Sequence, residues 1–360
     1  MAGLSHRERA TLLAIIAAAA LAGAANYGRW AAVPRFALAT VALAGLAWVV
    51  SFATEQLGEH FGPGTTGMLQ STLGNLPELF VVIFALQKGE LIVAQTAIIG
   101  SILANALLVL GLVIVVGAQR APDGVMRFSK RLPRDTATLM QVTVFIIVLL
   151  GLSVRSGDPA SHHVRAISIV GAVCLLLVYL FWVVPYLRAD AAAAAHTPPQ
   201  QRSAGERPRL SISSSLALLA LSGAGSAFVS DWFVNGLRPA IDQLNLSQAF
   251  AGLVIVAIAG NAVENTAGLV LAWKGRSDLA ISVVKNSVAQ ISAFLFPLLV
   301  LVSFALSTVL TFKIAPVYIG ALALTALALA QVTGDGEAAA FEGWALVALY
   351  VVAATFTLYE

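Results

Sequence analysis

Charge is scarce in this sequence. Of 360 residues only 11% are Asp, Glu, Lys or Arg, while 59% are hydrophobic, and the mean hydropathy is +0.88. Soluble domains carry about 25% charged residues, so this chain cannot cover a water-facing surface. Cysteine is nearly absent. Cys174 stands alone inside an apolar run, makes no intrachain disulfide, and leaves the redox compartment unread. No histidine and no aspartate dyad is embedded in an apolar run. That argues against a membrane enzyme, which needs a nucleophile–base pair or metal ligands within its spans. The net charge of +3 does not point to nucleic acid, because the basic residues sit in short loops.

What the chain has is long apolar runs. Eleven are long enough to cross a bilayer, at roughly 11–26, 35–57, 64–87, 91–118, 136–154, 164–187, 212–236, 247–273, 278–302, 312–332 and 339–358. A spanning segment must pair its own backbone groups, so helices are expected. The runs are continuous rather than alternating, which is a poor fit to a β-barrel. The first run follows His6, Arg7 and Arg9, but further runs follow at once, so a retained helix is expected rather than a leader.

Two connections are basic. Residues 119–135 hold Arg120, Arg127, Lys130, Arg131 and Arg134 against Asp123 and Asp135. Residues 188–210 hold Arg188, Arg202, Arg207 and Arg209 with Pro198, Pro199, Pro208 and an alanine run. With eleven spans, both loops and the N-terminus fall on one side. The positive-inside rule puts that side in the cytoplasm and the C-terminus outside. The loops read as orientation signals and tethers. Asp335, Glu337 and Glu342 cluster before the last span and are expected to face the cytoplasm, and His60, His162 and His163 fall in loops.

The halves share a repeat. Gly74-Asn75-Leu76-Pro77-Glu78 in the third span is answered by Gly260-Asn261-Ala262-Val263-Glu264 in the eighth. Ten residues after each glutamate stands Lys88-Gly89 or Lys274-Gly275, and then Gly100-Ser101 or Asn286-Ser287, without a gap. Five spans separate the copies, an odd number, so they cross in opposite directions. Inverted repeats of this kind are typical of secondary transporters, whose site lies at the repeat interface near the midplane.

Glu78 and Glu264 carry the chemistry. A carboxylate at a helix centre costs roughly 2.5–3.5 kcal/mol on insertion scales. A divalent cation offsets that cost, and so does protonation. Two such carboxylates can therefore hold Ca²⁺ and protons by turns. Asn75 and Asn261 lie three residues before them, on the same helical face. Ca²⁺ takes six to eight oxygens, amide and backbone carbonyls among them. Gly74 and Gly260 permit a break that frees backbone oxygens, with Leu73 and Ala259 as candidates. Pro77 has no N–H, so the Leu73 carbonyl loses its helical partner, although a plain kink reads as well. Ser101 and Asn105 on the fourth span, and Ser287 and Gln290 on the ninth, complete the ligand shell or serve as helix–helix glue. Glu55 and Asp231 recur at loosely matched places near span ends and form a candidate proton path or gate. Lys285 sits within the ninth span and can snorkel, pair with a carboxylate, or take the place of a cation.

Several runs resemble a known family, the calcium/proton exchangers of the cation/Ca²⁺ exchanger superfamily. Ala85-Leu86-Gln87-Lys88-Gly89 and Ile98 to Asn105 through Val109-Leu110-Gly111 resemble its first repeat. Gly260 to Glu264 and Ser287-Val288-Ala289-Gln290-Ile291 resemble its second, and Gly334-Asp335-Gly336 with Phe341-Glu342-Gly343 resembles its entry to the last helix. The likeness runs from about residue 50 to the C-terminus, weakly through 120–210. It implies an all-α integral membrane fold of eleven helices: a lone first helix (1–34), a five-helix repeat (35–187), a cytoplasmic linker (188–211) and an inverted five-helix repeat (212–360). It implies exchange of Ca²⁺ for H⁺ at Glu78 and Glu264, no cofactor beyond the transported ions, and, for a prokaryotic chain, the cell membrane. An oligomer is compatible with this. Leu76-Pro77 stands where the family usually has Ala-Thr, and resembles the sodium/calcium exchanger branch instead. Asn265 stands where His is frequent, Lys285-Asn286 replaces an apolar residue and a glycine, and the linker lacks an acidic run. A Na⁺ or K⁺/H⁺ antiporter of the same fold is the alternative, favoured by the charge of Lys285. A cation channel would instead conduct without proton coupling.

Overall fold

The computed structural model describes residues 5–58, 60, 73–129, 131–196 and 209–360. In chain order they form α1 (His6–Tyr27), α2 (Ala32–Gly58), α3 (Leu76–Gln87), α4 (Leu91–Arg120), β1 (Val125–Arg127), α5 (Arg131–Ser156), α6 (Val164–His196), α7 (Ile212–Leu244), α8 (Gln248–Gly260), α9 (Ala262–Trp273), α10 (Ser277–Ser303), α11 (Pro316–Thr333), β2 (Glu337–Ala339) and α12 (Ala340–Leu358). Among the described residues nine helices are long and apolar enough to cross a bilayer, and α8 with α9 makes a bent tenth. The protein is a multi-pass helical membrane protein. The expected third span begins at 64, and its part up to 72 lies outside the described residues, as do 197–208 of the expected linker.

The structure corrects several expected ends. α6 continues through Pro185 to His196, because the alanine run, made of the best helix former, extends the helix where a linker was expected. α7 runs past 236 to Leu244 through Pro239. That proline cannot bond to the Asn235 carbonyl, and Arg35 takes its place, donating through Nη2 at 3.4 Å. The fold is also not purely helical. β1 and β2 pair antiparallel, with Met126 opposite Ala338 and Arg127 opposite Glu337. Arg127 lies 2.7 Å from Asp123 and 3.6 Å from Glu337, and its hydrogen bond holds the Asp123 carboxyl below its ordinary range.

The sequence repeat extends to the backbone at the constant offset that separates Glu78 from Glu264. α3 and α9 are each 12 residues long. Each ends at a glycine with positive φ, Gly89 at 79° and Gly275 at 72°. Beyond each, the next N–H reaches back five residues, Glu90 to Ala85 at 2.8 Å and Arg276 to Leu271 at 3.0 Å. That is a helix stop only glycine takes without strain. The helices that follow, α4 and α10, both widen into a π turn at matched places, Ala104–Val109 and Ile291–Leu295. π turns are rare and concentrate at functional sites. A third, Ala251–Val256, lies in α8.

By internal contacts the chain forms two compact units, Met1–Phe84 with Leu180–Leu244, and Ala85–Tyr179 with Asn245–Glu360. In the first, α2 and α7 run antiparallel. Phe36 and Phe233 stack 4.9 Å apart near one end. At the other, Val50, Ala53 and Leu57 pack on Leu219, and Arg209 donates its N–H to Gln56 at 2.9 Å and pairs with Glu8 of α1 at 2.6 Å. In the second unit, lipid supplies no hydrophobic drive between helices, so small residues bring backbones close. A Cβ at Gly111 of α4 would lie 2.5 Å from the Gly343 carbonyl of α12, and one at Gly100 would lie 2.5 Å from Leu253 Cα of α8.

Candidate cation-binding site

In the second unit Asn261 and Glu264 lie at a helix break. α8 stops at Gly260, and the run resumes in α9 after a bend of 57°. Asn261 sits in the break with φ −103° and ψ 12°. Glu264 follows in the first turn of α9; its side chain lies outside the described residues. The matched Glu78 occupies the first turn of α3 and is 1% exposed. Asn75, also buried, stands just before α3, and its carbonyl receives the Leu79 N–H at 2.9 Å, as the Asn261 carbonyl receives that of Asn265 at 3.0 Å. Pro77 leaves the Leu73 carbonyl without a helical N–H. Ala259 is buried in the last turn of α8.

Within the second unit the structure brings Ser101, Asn105 and Asn261 together. Asn105 donates through Nδ2 to Asn261 Oδ1 at 3.2 Å and to the Ser101 carbonyl at 2.9 Å. Asn261 donates through Nδ2 to Ser101 Oγ at 3.0 Å and to the Ala257 carbonyl at 2.9 Å. Asn105 is fully buried, and its Oδ1 has no hydrogen-bond partner among the described residues. A buried acceptor left open costs about 1–3 kcal/mol, which a cation or a water recovers. Ser287 and Gln290 of α10 are buried as well. Among the described residues no three His, Cys, Asp or Glu side chains gather as a metal cluster. Within the second unit the chemistry on offer is neutral amide and hydroxyl oxygen, which suits a hard cation.

Glu55 and Asp231 both belong to the first unit. Glu55 lies near the end of α2 where Gln56 meets Arg209, and is exposed. Asp231 lies in the interior of α7, beside Trp232 and Phe233, and accepts from Asn235 at 3.0 Å. The two sit toward opposite ends of the α2–α7 pair and are not brought together, and Asp231 stands inside a 33-residue helix rather than near a span end. Lys285 is fully buried, but its Nζ donates to Thr333 Oγ1 of α11 at 2.9 Å, and Thr136 of α5 donates to its carbonyl at 3.3 Å. The ammonium is held inside the protein, at the last residue of α11. Sequence reasoning missed Thr333 and Thr136 as its holders. Both stand at a span boundary, which was the available signal. His162 and His163 are exposed in a short turn as expected, and His60 meets the Leu210 carbonyl at 2.7 Å.

The family model described as sodium/calcium exchanger protein matches residues 31–187 and 214–359. A vacuolar calcium ion transporter of Schizosaccharomyces pombe is 30% identical over 331 residues, covering 91% of this chain and 80% of its own length. A Ca²⁺/H⁺ antiporter of Synechocystis is 30% identical over 351 residues, covering 93% of each chain. Among solved structures, native YfkE superposes with a TM-score of 0.79 at 24% identity, over 97% of this chain and 100% of that one. The H⁺/Ca²⁺ exchanger CAX gives 0.74 at 14% identity, over 96% and 88%. Those two likenesses speak to the fold.

Proposed function

The chain belongs to the sodium/calcium exchanger protein family and, within it, to the calcium/proton exchangers, and from that premise we propose that it exchanges Ca²⁺ for H⁺ by alternating access. Glu78 and Glu264 take the cation and the protons in turn, with Asn75, Asn261, Ser101, Asn105, Ser287 and Gln290 supplying neutral oxygens. The observation that carries this reading is the matched pair of helix starts. Each places a glutamate in the first turn of a 12-residue apolar helix, one residue type at matched places of the repeat. A carboxylate in such a place needs a cation or a proton.

The layout we propose is eleven spans with an inverted repeat, lying in the cell membrane of a prokaryote with the N-terminus inside. Contacts within each unit agree with that alternation. In the first unit the start of α1, the end of α2 and the entry to α7 meet through Glu8, Gln56 and Arg209, all ends assigned to the cytoplasm. In the second, β1, β2 and the start of α10 meet through Arg127, Glu337 and the Ser129–Asp278 bond, again one side. On the other, Ser307 donates to the carbonyls of Leu86 and Gln87, and Gln95 to that of Lys313.

Vesicles carrying the purified protein test the proposal. A pH gradient drives Ca²⁺ uptake, and Glu78→Gln or Glu264→Gln abolishes it. Excess Na⁺ or K⁺ leaves it unchanged. Uptake retained in either variant refutes the assignment, and suppression by Na⁺ or K⁺ shifts it to a monovalent exchanger.

A further inference from the structure

One buried polar group in the second unit has no place in the site as described. Tyr350 of α12 is 4% exposed, and its hydroxyl has no hydrogen-bond partner among the described residues. Buried hydroxyls of tyrosine normally find one. Its level in the membrane is fixed by two contacts, each seven residues away along α12. On one side Gly343 meets Gly111 of α4 backbone to backbone. On the other the Thr357 carbonyl accepts from Ser247, the residue before α8. α12 runs antiparallel to both helices, and seven residues rise about 10 Å. Seven residues back from Gly111 is Ala104, and seven forward from Ser247 is Val254. Tyr350 therefore stands level with the π turns Ala104–Val109 and Ala251–Val256, both of which pack along α12. It shares the inward face of α12 with Gly343 and Leu346, at helical spacing. Asn105, whose Oδ1 is another open buried acceptor, lies in the first of those π turns.

We infer that Tyr350 is a positioning residue of the cation site: its hydroxyl holds the Asn105 carboxamide through one bridging water. The amide then keeps Nδ2 on Asn261 and presents Oδ1 to the cation, since a carbonyl oxygen has two lone pairs and serves both. A donor and an acceptor, both buried and both open, are the partners such a water needs. This rests on the proposed exchange site. Nothing in the sequence marks Tyr350, since a tyrosine in a last span reads as an ordinary apolar contact.

Tyr350→Phe removes the oxygen and nothing else. In proton-driven Ca²⁺ uptake the variant shows a KM raised about three- to tenfold, the worth of one hydrogen bond, with the maximal rate within about twofold. Its melting temperature falls by no more than about 3 °C, because only one water-mediated hydrogen bond is lost. On an Asn105→Ala background the same substitution adds nothing further, since the two act as one unit. Where Asn105→Ala transports too slowly, protection of the melting temperature by Ca²⁺ gives the same ratio. An unchanged KM in Tyr350→Phe overturns the inference, and so does a full additional effect on the Asn105→Ala background. A lowered melting temperature at unchanged KM also overturns it, assigning the residue to packing. Glu78→Gln, run alongside, separates the two ideas: uptake lost there but untouched in Tyr350→Phe sinks only the role of the tyrosine, and uptake retained in Glu78→Gln sinks the exchange site itself.

Discussion

Replacing Gly100 by alanine tests how tightly helix packing sets the site. The added Cβ would lie 2.5 Å from the Leu253 Cα and 2.7 Å from its carbonyl carbon, where 3.4–4 Å is ordinary contact. The obstacle is backbone, so no side chain can swing aside. α4 and α8 must part by about 1 Å, and overpacking of this kind costs about 1–3 kcal/mol. The separation reaches the site directly. Ser101 is the next residue on α4, and α8 leads into Asn261. Their bond, now 3.0 Å, opens to about 4 Å, outside hydrogen-bond range. Ca²⁺–oxygen distances span only about 2.3–2.6 Å, so a ligand shell displaced that far binds Ca²⁺ at least about tenfold more weakly. Thermal unfolding and the Ca²⁺ KM for uptake read the two effects. Gly320→Ala is the control: nothing lies within 4 Å of its Cβ, and alanine is about 1 kcal/mol better than glycine in a helix, so its melting temperature holds or rises. A Gly100→Ala protein that melts with the wild type and keeps its KM would refute the reasoning.

Lys285→Met keeps Ca²⁺/H⁺ exchange and is neutral to about 4 kcal/mol more stable, because a buried charge is replaced by an apolar chain while Thr333 keeps its own bond to Leu329 at 2.6 Å; loss of exchange with an intact melting curve would place the lysine in the site after all. Asn261→Ala strips Ser101 and Asn105 of a shared partner and raises the Ca²⁺ KM more than either Ser101→Ala or Asn105→Ala alone. Asp123→Asn lowers the melting temperature slightly at pH 7. The aspartate is depressed below its ordinary 3.8 by Arg127, so its stabilisation is present above that value and fades as the pH falls through the lower folded one. The difference between variant and wild type should shrink as the pH falls below 3.8 and in 1 M salt; a difference independent of both contradicts the ion pair.

Nine long apolar helices and a bent tenth among the described residues were legible because lipid imposes a long apolar run on any crossing helix, and the glycine stops at Gly89 and Gly275 leave the same short signature twice. Span ends were less legible. An alanine run reads as a tether or as helix, and α6 takes the second course. Pro239 reads as a stop, yet α7 passes it because Arg35, 204 positions earlier in the chain, covers the freed carbonyl. Long-range partners of that kind leave no local trace. The same holds for the site. Asn75, Asn261 and the glutamates stood out by recurrence. The joining of Asn261 to Ser101 and Asn105, the π turns, and the turning of Lys285 toward Thr333 depend on which helices pack together. Glu55 and Asp231 show the converse: a loose echo between spans suggested partnership, and antiparallel packing of α2 and α7 holds them at opposite ends.

Proton release on Ca²⁺ binding to the purified protein tests the central claim most directly. In weakly buffered solution the wild type should release protons as Ca²⁺ binds, fewer as the pH rises and the carboxyls empty beforehand, and the Glu78→Gln/Glu264→Gln protein should release none. Ca²⁺ binding without proton release at any pH, or release undiminished in the double variant, would contradict a shared site for the two ions.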